Sequence, residues 1–167
     1  MKSVRACLSV VAPLLTLSVA LPAVAQQSLK TMAGTWTVAS AQTTQGGKTS
    51  DTFGPRPQGT LIIDSNGRYS LMILSAGLPK FAANGRDKGT SDENKAVVAG
   101  SIAHFGRISV DEPDKSFTFH IEGSTYPNWN GTTQKRPFVI LSKDELSYGV
   151  AAASAGGSAK VVWKRAK

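Results

Sequence analysis

The sequence predicts an all-β fold, an antiparallel up-and-down barrel of about eight strands with one helical insertion. Short segments in which large apolar residues alternate with small or polar ones recur along the chain, and turn-forming residues separate them at short intervals. One hairpin is apolar on both faces near Ile62 and Met72, which favours closed packing over a sheet with a solvated face. A sheet that closes on itself satisfies all three observations.

The first half of the chain predicts a strand, a hairpin and a long loop. Residues 34–41 alternate large and small side chains and predict the first strand. Residues 60–74 predict the hairpin, because the central Asn66-Gly67 pair is the strongest two-residue signal for the positive φ angles of a tight turn. Residues 75–89 then have the composition of a loop.

A single helix is predicted after this loop. Thr90 and Glu93 have the spacing of a capping box, in which each side chain accepts a hydrogen bond from the other residue's backbone N–H. Apolar residues continue beyond this start, so the sequence predicts a helix over 91–103 despite Gly100. This prediction assigns His104 to the end of the helix.

The second half of the chain predicts strands only. They cover residues 107–111, 116–122, 133–141, 145–150 and 160–165. The strand over 116–122 alternates most regularly, with apolar side chains on one face and polar side chains on the other. The apolar face carries Phe117, Phe119 and Ile121, and the polar face carries Thr118, His120 and Glu122.

The first 25 residues have the pattern of a secretory signal peptide. Two basic residues precede an apolar run, and Ala23-Val24-Ala25 supplies the small residues of a cleavage site. We therefore expect residues 1–25 to be removed and residues 26–167 to form one exported domain, periplasmic or secreted. The apolar run is too short to span a bilayer, so no transmembrane segment is predicted.

Composition excludes several classes of site and partner. The formal net charge is +8, but the basic residues are spread along the chain, which favours a solvated surface over a nucleic-acid partner. The only cysteine, Cys7, lies in the predicted signal peptide, so we expect no disulfide and no thiolate metal site in the exported domain. His104 and His120 lack a recognisable zinc spacing, and we predict no metal and no cofactor.

The ends of the predicted domain resemble the lipocalin and wider calycin signature. Gly34-Thr35-Trp36 opens the first strand, and Val162-Trp163-Lys164-Arg165 closes the last. Four further blocks are similar to the bacterial and fungal lipocalin-like domain family: Phe53-Gly54-Pro55-x-Pro57-x-Gly59, Asp64-Ser65-Asn66-Gly67-Arg68, Gly106-Arg107-Ile108-Ser109-Val110-Asp111, and His120-x-Glu122-Gly123-Ser124 with Pro127-Asn128-Trp129. The resemblance implies a barrel whose end is plugged by Trp36, with a basic residue of the final strand, such as Arg165, over its ring in a cation–π contact.

The sequence leaves two main functions open. The first is a binding protein that holds a small hydrophobic or amphipathic ligand inside the barrel. The second is a small-molecule isomerase, cyclase or hydratase, in which Glu122 polarises His120 as a general acid/base. A protein partner in the cell envelope is a weaker third hypothesis. The apolar strand residues either line a cavity or simply fill the barrel.

The predicted ligand site combines an apolar pocket with a polar mouth. The pocket residues are Ile62, Met72, Phe117, Phe119 and Phe138, and the mouth residues are His120, Glu122, Asn128, Trp129 and Arg136. His120 and Glu122 share a sheet face because they are two residues apart. The alternative for this pair is the solvated outer face of an amphipathic strand.

Overall fold

The computed structural model describes residues 23–167, so the predicted signal peptide lies outside the described residues except for its last three positions. Within residues 23–167, two α-helices and one 3₁₀ helix accompany the strands: α1 Ala23–Met32, α2 Ser91–Ala99 and the 3₁₀ helix Pro127–Trp129. The strands are β1 Gly34–Gln45, β2 Lys48–Asp51, β3 Gln58–Ile63, β4 Arg68–Leu74, β5 Ser101–Asp111, β6 Ser116–Ser124, β7 Thr133–Leu141, β8 Glu145–Val150 and β9 Ser158–Arg165. Within 23–167, no helix is long and apolar enough to cross a membrane.

The nine strands form one antiparallel sheet that closes on itself. From β3 to β9 each strand pairs with the next in sequence, and β9 pairs back onto β1. Strand β3 also pairs with the first part of β1, so β1 and β3–β9 complete an eight-stranded up-and-down barrel. The short β2 pairs only with the far end of β1, from Gln42 opposite Asp51 to Gln45 opposite Lys48. The predicted fold class is confirmed, with β2 as an additional strand.

Strand alternation directs one face of each strand into a shared core. The predicted apolar face of β6 is interior, and Phe117, Phe119 and Ile121 are at most 2% exposed. Buried apolar side chains from other strands meet them there. Each buried leucine, isoleucine or phenylalanine contributes about 1.5–3 kcal/mol relative to an exposed one, so this core is the main source of stability.

The β3–β4 hairpin is apolar on both faces, but only one face is interior. Leu61 and Leu71 are buried, whereas Ile62 and Met72 are 50% and 44% exposed. Because neighbouring side chains on a strand point to opposite faces, Ile62 and Met72 lie on the outer surface. The prediction that these two residues line a pocket inside the barrel is wrong.

Helix α2 begins as predicted and ends early. Thr90 and Glu93 form the complete capping box. The helix ends at Ala99 because Gly100 forms its C-cap and donates its N–H to the carbonyl oxygen of Ala96. Strand β5 starts directly afterwards, so the predicted strand over 107–111 extends back to Ser101. His104 therefore lies in a strand of the barrel and not at the end of a helix.

One end of the barrel is plugged by Trp36, whose side chain is fully buried. Its indole N–H donates to the carbonyl oxygen of Met32, in the last turn of α1, at 2.8 Å. The Arg165 guanidinium carbon lies 4.0 Å from the Trp36 ring centroid, and the same guanidinium donates to the carbonyl oxygens of Thr31 and Ala33. This is the cation–π contact that the family resemblance implies.

Gly34 makes the approach of Arg165 possible. Its backbone has φ +128°, and a Cβ at this position would lie 2.5 Å from Nη1 of Arg165. A side chain would therefore have to displace the guanidinium from the tryptophan ring. The Gly34-x-Trp36 spacing and Arg165 thus act as one structural unit.

Candidate functional site

The opposite end of the barrel contains a cavity of about 70 Å³. The strands supply most of its lining through Ala41, Thr43, Leu71, Ile73, Ile102, His104, Phe119, Arg136, Tyr148, Val150, Ala159 and Val161, and the loops supply Thr52, Phe53, Trp129, Ala153, Ser154 and Ala155. Ser154 and Ala155 are exposed, so the cavity reaches the protein surface between the loops of this end. We call this space the barrel cavity.

A larger hollow of about 430 Å³ adjoins the barrel cavity. Residues Val97, Val98 and Ala99 of α2 line one side of it, and the two spaces share lining residues that include Phe53 and Ile102. The barrel cavity alone is smaller than the ~300–1,000 Å³ of ordinary ligand pockets, whereas the hollow falls within that range. We call this hollow the vestibule.

A buried polar pair projects into the barrel interior. The hydroxyl of Tyr69 and Nδ1 of His104 are hydrogen-bonded at 2.8 Å, and both residues are buried. The His104 ring also packs edge-on against Phe119 and Trp129. Burial, with a smaller contribution from the positive charge of Arg136, lowers the pKa of His104 to about 4. The imidazole is therefore neutral at physiological pH.

Arg136 is a buried cation at the wall of the barrel cavity. The residue is 6% exposed, and its guanidinium carbon lies 6.0 Å from the centroid of the Phe119 ring. Nη1 donates to the carbonyl oxygen of Lys135 at 3.1 Å, and Nη2 donates to the Gln134 side chain. Its Nε has no hydrogen-bond partner among the described residues.

Two tyrosines complete the polar interior. Burial raises the pKa of Tyr148 to about 12 and also raises the pKa of Tyr69, so both hydroxyls remain protonated. Tyr148 accepts a hydrogen bond from the indole N–H of Trp163 at 3.3 Å. The interior therefore combines apolar walls with neutral hydroxyl and imidazole groups and one positive charge.

The structure brings only part of the predicted ligand site together. Phe119, Trp129 and Arg136 line the barrel cavity. Phe117 lies deeper in the core, with its ring centroid 5.2 Å from that of Phe138. Phe117 and the half-buried Phe138 do not belong to the cavity lining. Asn128 is exposed on the 3₁₀ helix and is also outside this lining.

His120 and Glu122 lie on the outer face of β6, so the predicted acid/base pair at the barrel mouth is wrong. Nε2 of His120 is hydrogen-bonded to the Ser109 hydroxyl at 2.7 Å. The Glu122 carboxylate forms ion pairs with Arg68 at 3.0 Å and Arg107 at 3.6 Å. The alternation that buries Phe119 and Ile121 points their neighbours to solvent, which was the alternative interpretation.

Tyr69, His104 and Tyr148 lie at or beside the barrel cavity but were not among the predicted site residues. A usable signal existed for His104, because Ile102, His104 and Ile108 occupy alternate positions of β5. Extending that alternation towards the N-terminus places His104 on the interior face. Because the helix was predicted to continue to residue 103, the strand alternation was not extended back to His104.

Comparison with known protein families identifies the family of this chain. A sequence profile of the lipocalin-like domain matches residues 33–166. The chain belongs to this family. A lipocalin-like protein from Bacteroides uniformis is 14% identical, with 81% of this chain and 99% of that chain covered and a TM-score of 0.44. No curated protein sequence matches this lipocalin-like chain.

Designed barrels are also among the structural neighbours of this lipocalin-like chain. A redesigned β-barrel is 17% identical, with 84% of this chain and 96% of the other covered and a TM-score of 0.45. A de novo fluorescence-activating β-barrel is 15% identical, with coverage of 83% and 97% and a TM-score of 0.45.

Burial of His104 predicts that acid destabilises the fold. The pKa of His104 is about 4 in the folded protein and about 6.5 in an unfolded chain. Between these pH values the unfolded chain binds a proton that the folded protein does not, so stability falls as the pH drops from 6.5 to 4. One such proton changes the free energy of unfolding by up to about 1.4 kcal/mol per pH unit.

The pH dependence of the free energy of unfolding can be measured by urea unfolding between pH 7 and pH 4. The proteins to compare are wild type, His104→Gln and His120→Gln. We expect His104→Gln to remove this component of the pH dependence and His120→Gln to retain it, because His120 is exposed. An identical pH dependence in wild type and His104→Gln would contradict the prediction.

Proposed function

We propose that this lipocalin-like protein binds a small hydrophobic or amphipathic molecule at the cavity-bearing end of its barrel. The observation that carries the proposal is the contrast between the two ends: Trp36 fills one, and the other retains an apolar-lined cavity that reaches the surface. Apolar surface buried there contributes about 25 cal/mol per Å², from which the ordering costs of binding are subtracted.

The vestibule provides room for a ligand larger than the barrel cavity. All residues of α2 are exposed or half-buried, and Val98 is 77% exposed beside the vestibule. A ligand in the vestibule would cover this apolar surface of α2. We therefore assign the inner part of the ligand to the barrel cavity and its outer part to the vestibule.

The proposed location of this activity is the periplasm or the extracellular medium. This rests on the signal-peptide pattern of residues 1–25. N-terminal sequencing of the protein recovered from the periplasm of a Gram-negative host should start at Gln26. Full-length protein retained in the cytosol would contradict export.

Titration with the neutral fluorescent dye N-phenyl-1-naphthylamine tests the binding function. We expect a saturable rise in fluorescence with wild type. Ala153→Trp should weaken binding at least about tenfold, because Ala153 is half-buried at the cavity wall and a large side chain there occupies the ligand space. Ala152→Trp is the matched control in the same loop, since Ala152 is exposed and outside the cavity lining.

The outcome of this titration decides between a hollow and a filled barrel. A folded wild-type protein without saturable fluorescence would overturn the proposed function. Equal dye affinity of wild type and Ala153→Trp would show that the dye does not bind in the barrel cavity, which would contradict the proposed location of the site.

The residues predicted to act as the acid/base pair of an enzyme, His120 and Glu122, lie on the outer face of the barrel and therefore cannot act in the barrel cavity. The interior offers His104, hydrogen-bonded to Tyr69, as a different acid/base group beside the barrel cavity. Any reaction there would first require the binding function proposed above.

A further inference from the structure

We propose that Arg136 binds the carboxylate group of an amphipathic monocarboxylate, whose apolar body lies against Phe119 and Leu71. This inference rests on the proposed binding function and adds the chemical class of the ligand. Arg136 and these two apolar residues line the same barrel cavity, so one molecule can contact them together.

The positive charge of Arg136 has no partner of opposite sign in the part of the chain that the structure describes. The ion pairs found there involve other residues, and all eleven aspartates and glutamates are exposed or half-buried. Residues 1–22, which lie outside this part, contain no aspartate or glutamate. Within residues 23–167, no aspartate or glutamate side chain therefore pairs with this cation.

Such an arrangement is unfavourable without a ligand. Removing an arginine from water costs several kcal/mol, and an opposite charge with good geometry is what normally offsets this cost. Here the guanidinium has only neutral acceptors, the Lys135 carbonyl and the Gln134 side chain, and the face of Phe119. The N–H at Nε is buried without an acceptor among residues 23–167.

The surroundings of Arg136 suit a carboxylate. The titratable groups that interact with it inside the barrel are His104, Tyr69 and Tyr148, and all three are neutral at pH 7. No negative charge among the described interior residues competes for the cation. A guanidinium binds a carboxylate through a planar fork of N–H donors, which matches two oxygens at once.

The size and charge of the site favour a monocarboxylate over a phosphate. One guanidinium supplies one positive charge, whereas a phosphate monoester carries close to two negative charges at pH 7. The remaining walls of the barrel cavity are mainly apolar, and its volume is about 70 Å³. A compact anionic group with an apolar body fits these walls better than a strongly hydrated dianion.

Thermal shift and calorimetric titration with octanoate and 1-octanol test this inference, because the probes share the same tail length and differ in charge. We expect wild type to bind octanoate at least about tenfold more tightly than 1-octanol. Arg136→Met should remove this preference while retaining 1-octanol binding. Lys135→Met removes the same formal charge from an exposed neighbour and should retain the preference.

The ligand-free stability of Arg136→Met provides a second readout. If Arg136 serves ligand binding, replacing a buried unpaired charge by a similar-sized apolar side chain should leave the melting temperature equal or higher. A purely structural arginine would instead give a lower melting temperature with unchanged octanoate preference. If Arg136→Met does not fold, Arg136→Gln provides the same affinity comparison.

The outcomes of these experiments distinguish failure of the proposed binding function from failure of the carboxylate inference. Failure of wild type to bind either probe or the neutral dye would overturn the proposed function itself. Binding of octanoate and 1-octanol with equal affinity, or a preference unchanged in the Arg136 variants, would overturn only the carboxylate inference. Equal stabilisation by sodium phosphate or sodium chloride would overturn it in favour of a free inorganic anion.

Discussion

Replacing Trp36 by alanine is expected to lower the free energy of unfolding by about 3–5 kcal/mol, as other large-to-small changes of buried aromatic residues do. The side chain is fully buried, and its removal leaves a cavity that α1 and the barrel strands can only partly close. It also removes the indole donor to the Met32 carbonyl oxygen and the ring beneath Arg165. Urea unfolding monitored by circular dichroism measures the loss.

A double-mutant cycle with Arg165→Ala tests the cation–π pair. We expect a coupling free energy of about 1–2 kcal/mol. Arg165→Ala should retain some effect in the Trp36→Ala background, because the guanidinium also donates to the carbonyl oxygens of Thr31 and Ala33. Lys164→Ala is a control of small effect, since its ion pair with Glu145 lies near the surface. Strictly additive losses would exclude the pairing.

Replacing Phe119 by alanine is expected to cost a similar ~3–5 kcal/mol and also to alter ligand binding. Phe119 is 1% exposed, and its ring packs against Tyr69, His104, Phe117 and Tyr148 at centroid distances of 4.5–6.0 Å. It also forms part of the barrel cavity wall. Truncation therefore removes core packing and enlarges the cavity at the same time.

Phe117→Ala is the matched control for this second effect. Phe117 is as deeply buried as Phe119 but does not line the barrel cavity. Both variants should lose stability in urea, and only Phe119→Ala should change the affinity for N-phenyl-1-naphthylamine, measured at 10 °C on samples that circular dichroism shows to be folded. Equal changes in dye affinity for the two variants would contradict the assignment of Phe119 to the binding site.

Local chemistry in the sequence predicted most of the elements. The turn at Asn66-Gly67, the Thr90–Glu93 capping box and the alternation of residues 116–122 depend on neighbours within a few positions, and the structure contains all three. Of the predicted turn pair, only Gly67 has a positive φ, at +79°. Such features are local because turn and cap geometry involve only adjacent backbone groups. The family resemblance added the contact between Trp36 and Arg165, which no local rule contains.

The candidate site could not be predicted from strand alternation alone, because alternation does not show which face of a strand is interior. A period of two determines that His120 and Glu122 share one face, and that Phe117 and Phe119 share the other. Closure of β9 onto β1 then determines which face of a strand is interior when both are apolar, as at Ile62 and Met72.

The sequence by itself determined the eight-stranded fold class, the turns and the residues that share a face. Tertiary structure alone decided that Ile62 and Met72 face outward and that Arg136 is buried without a carboxylate partner among the described residues. The physical reason is that burial and charge compensation depend on side chains distant in sequence. Arg136 meets Phe119, His104 and Tyr148 only after β5, β6, β7 and β8 have closed around one interior.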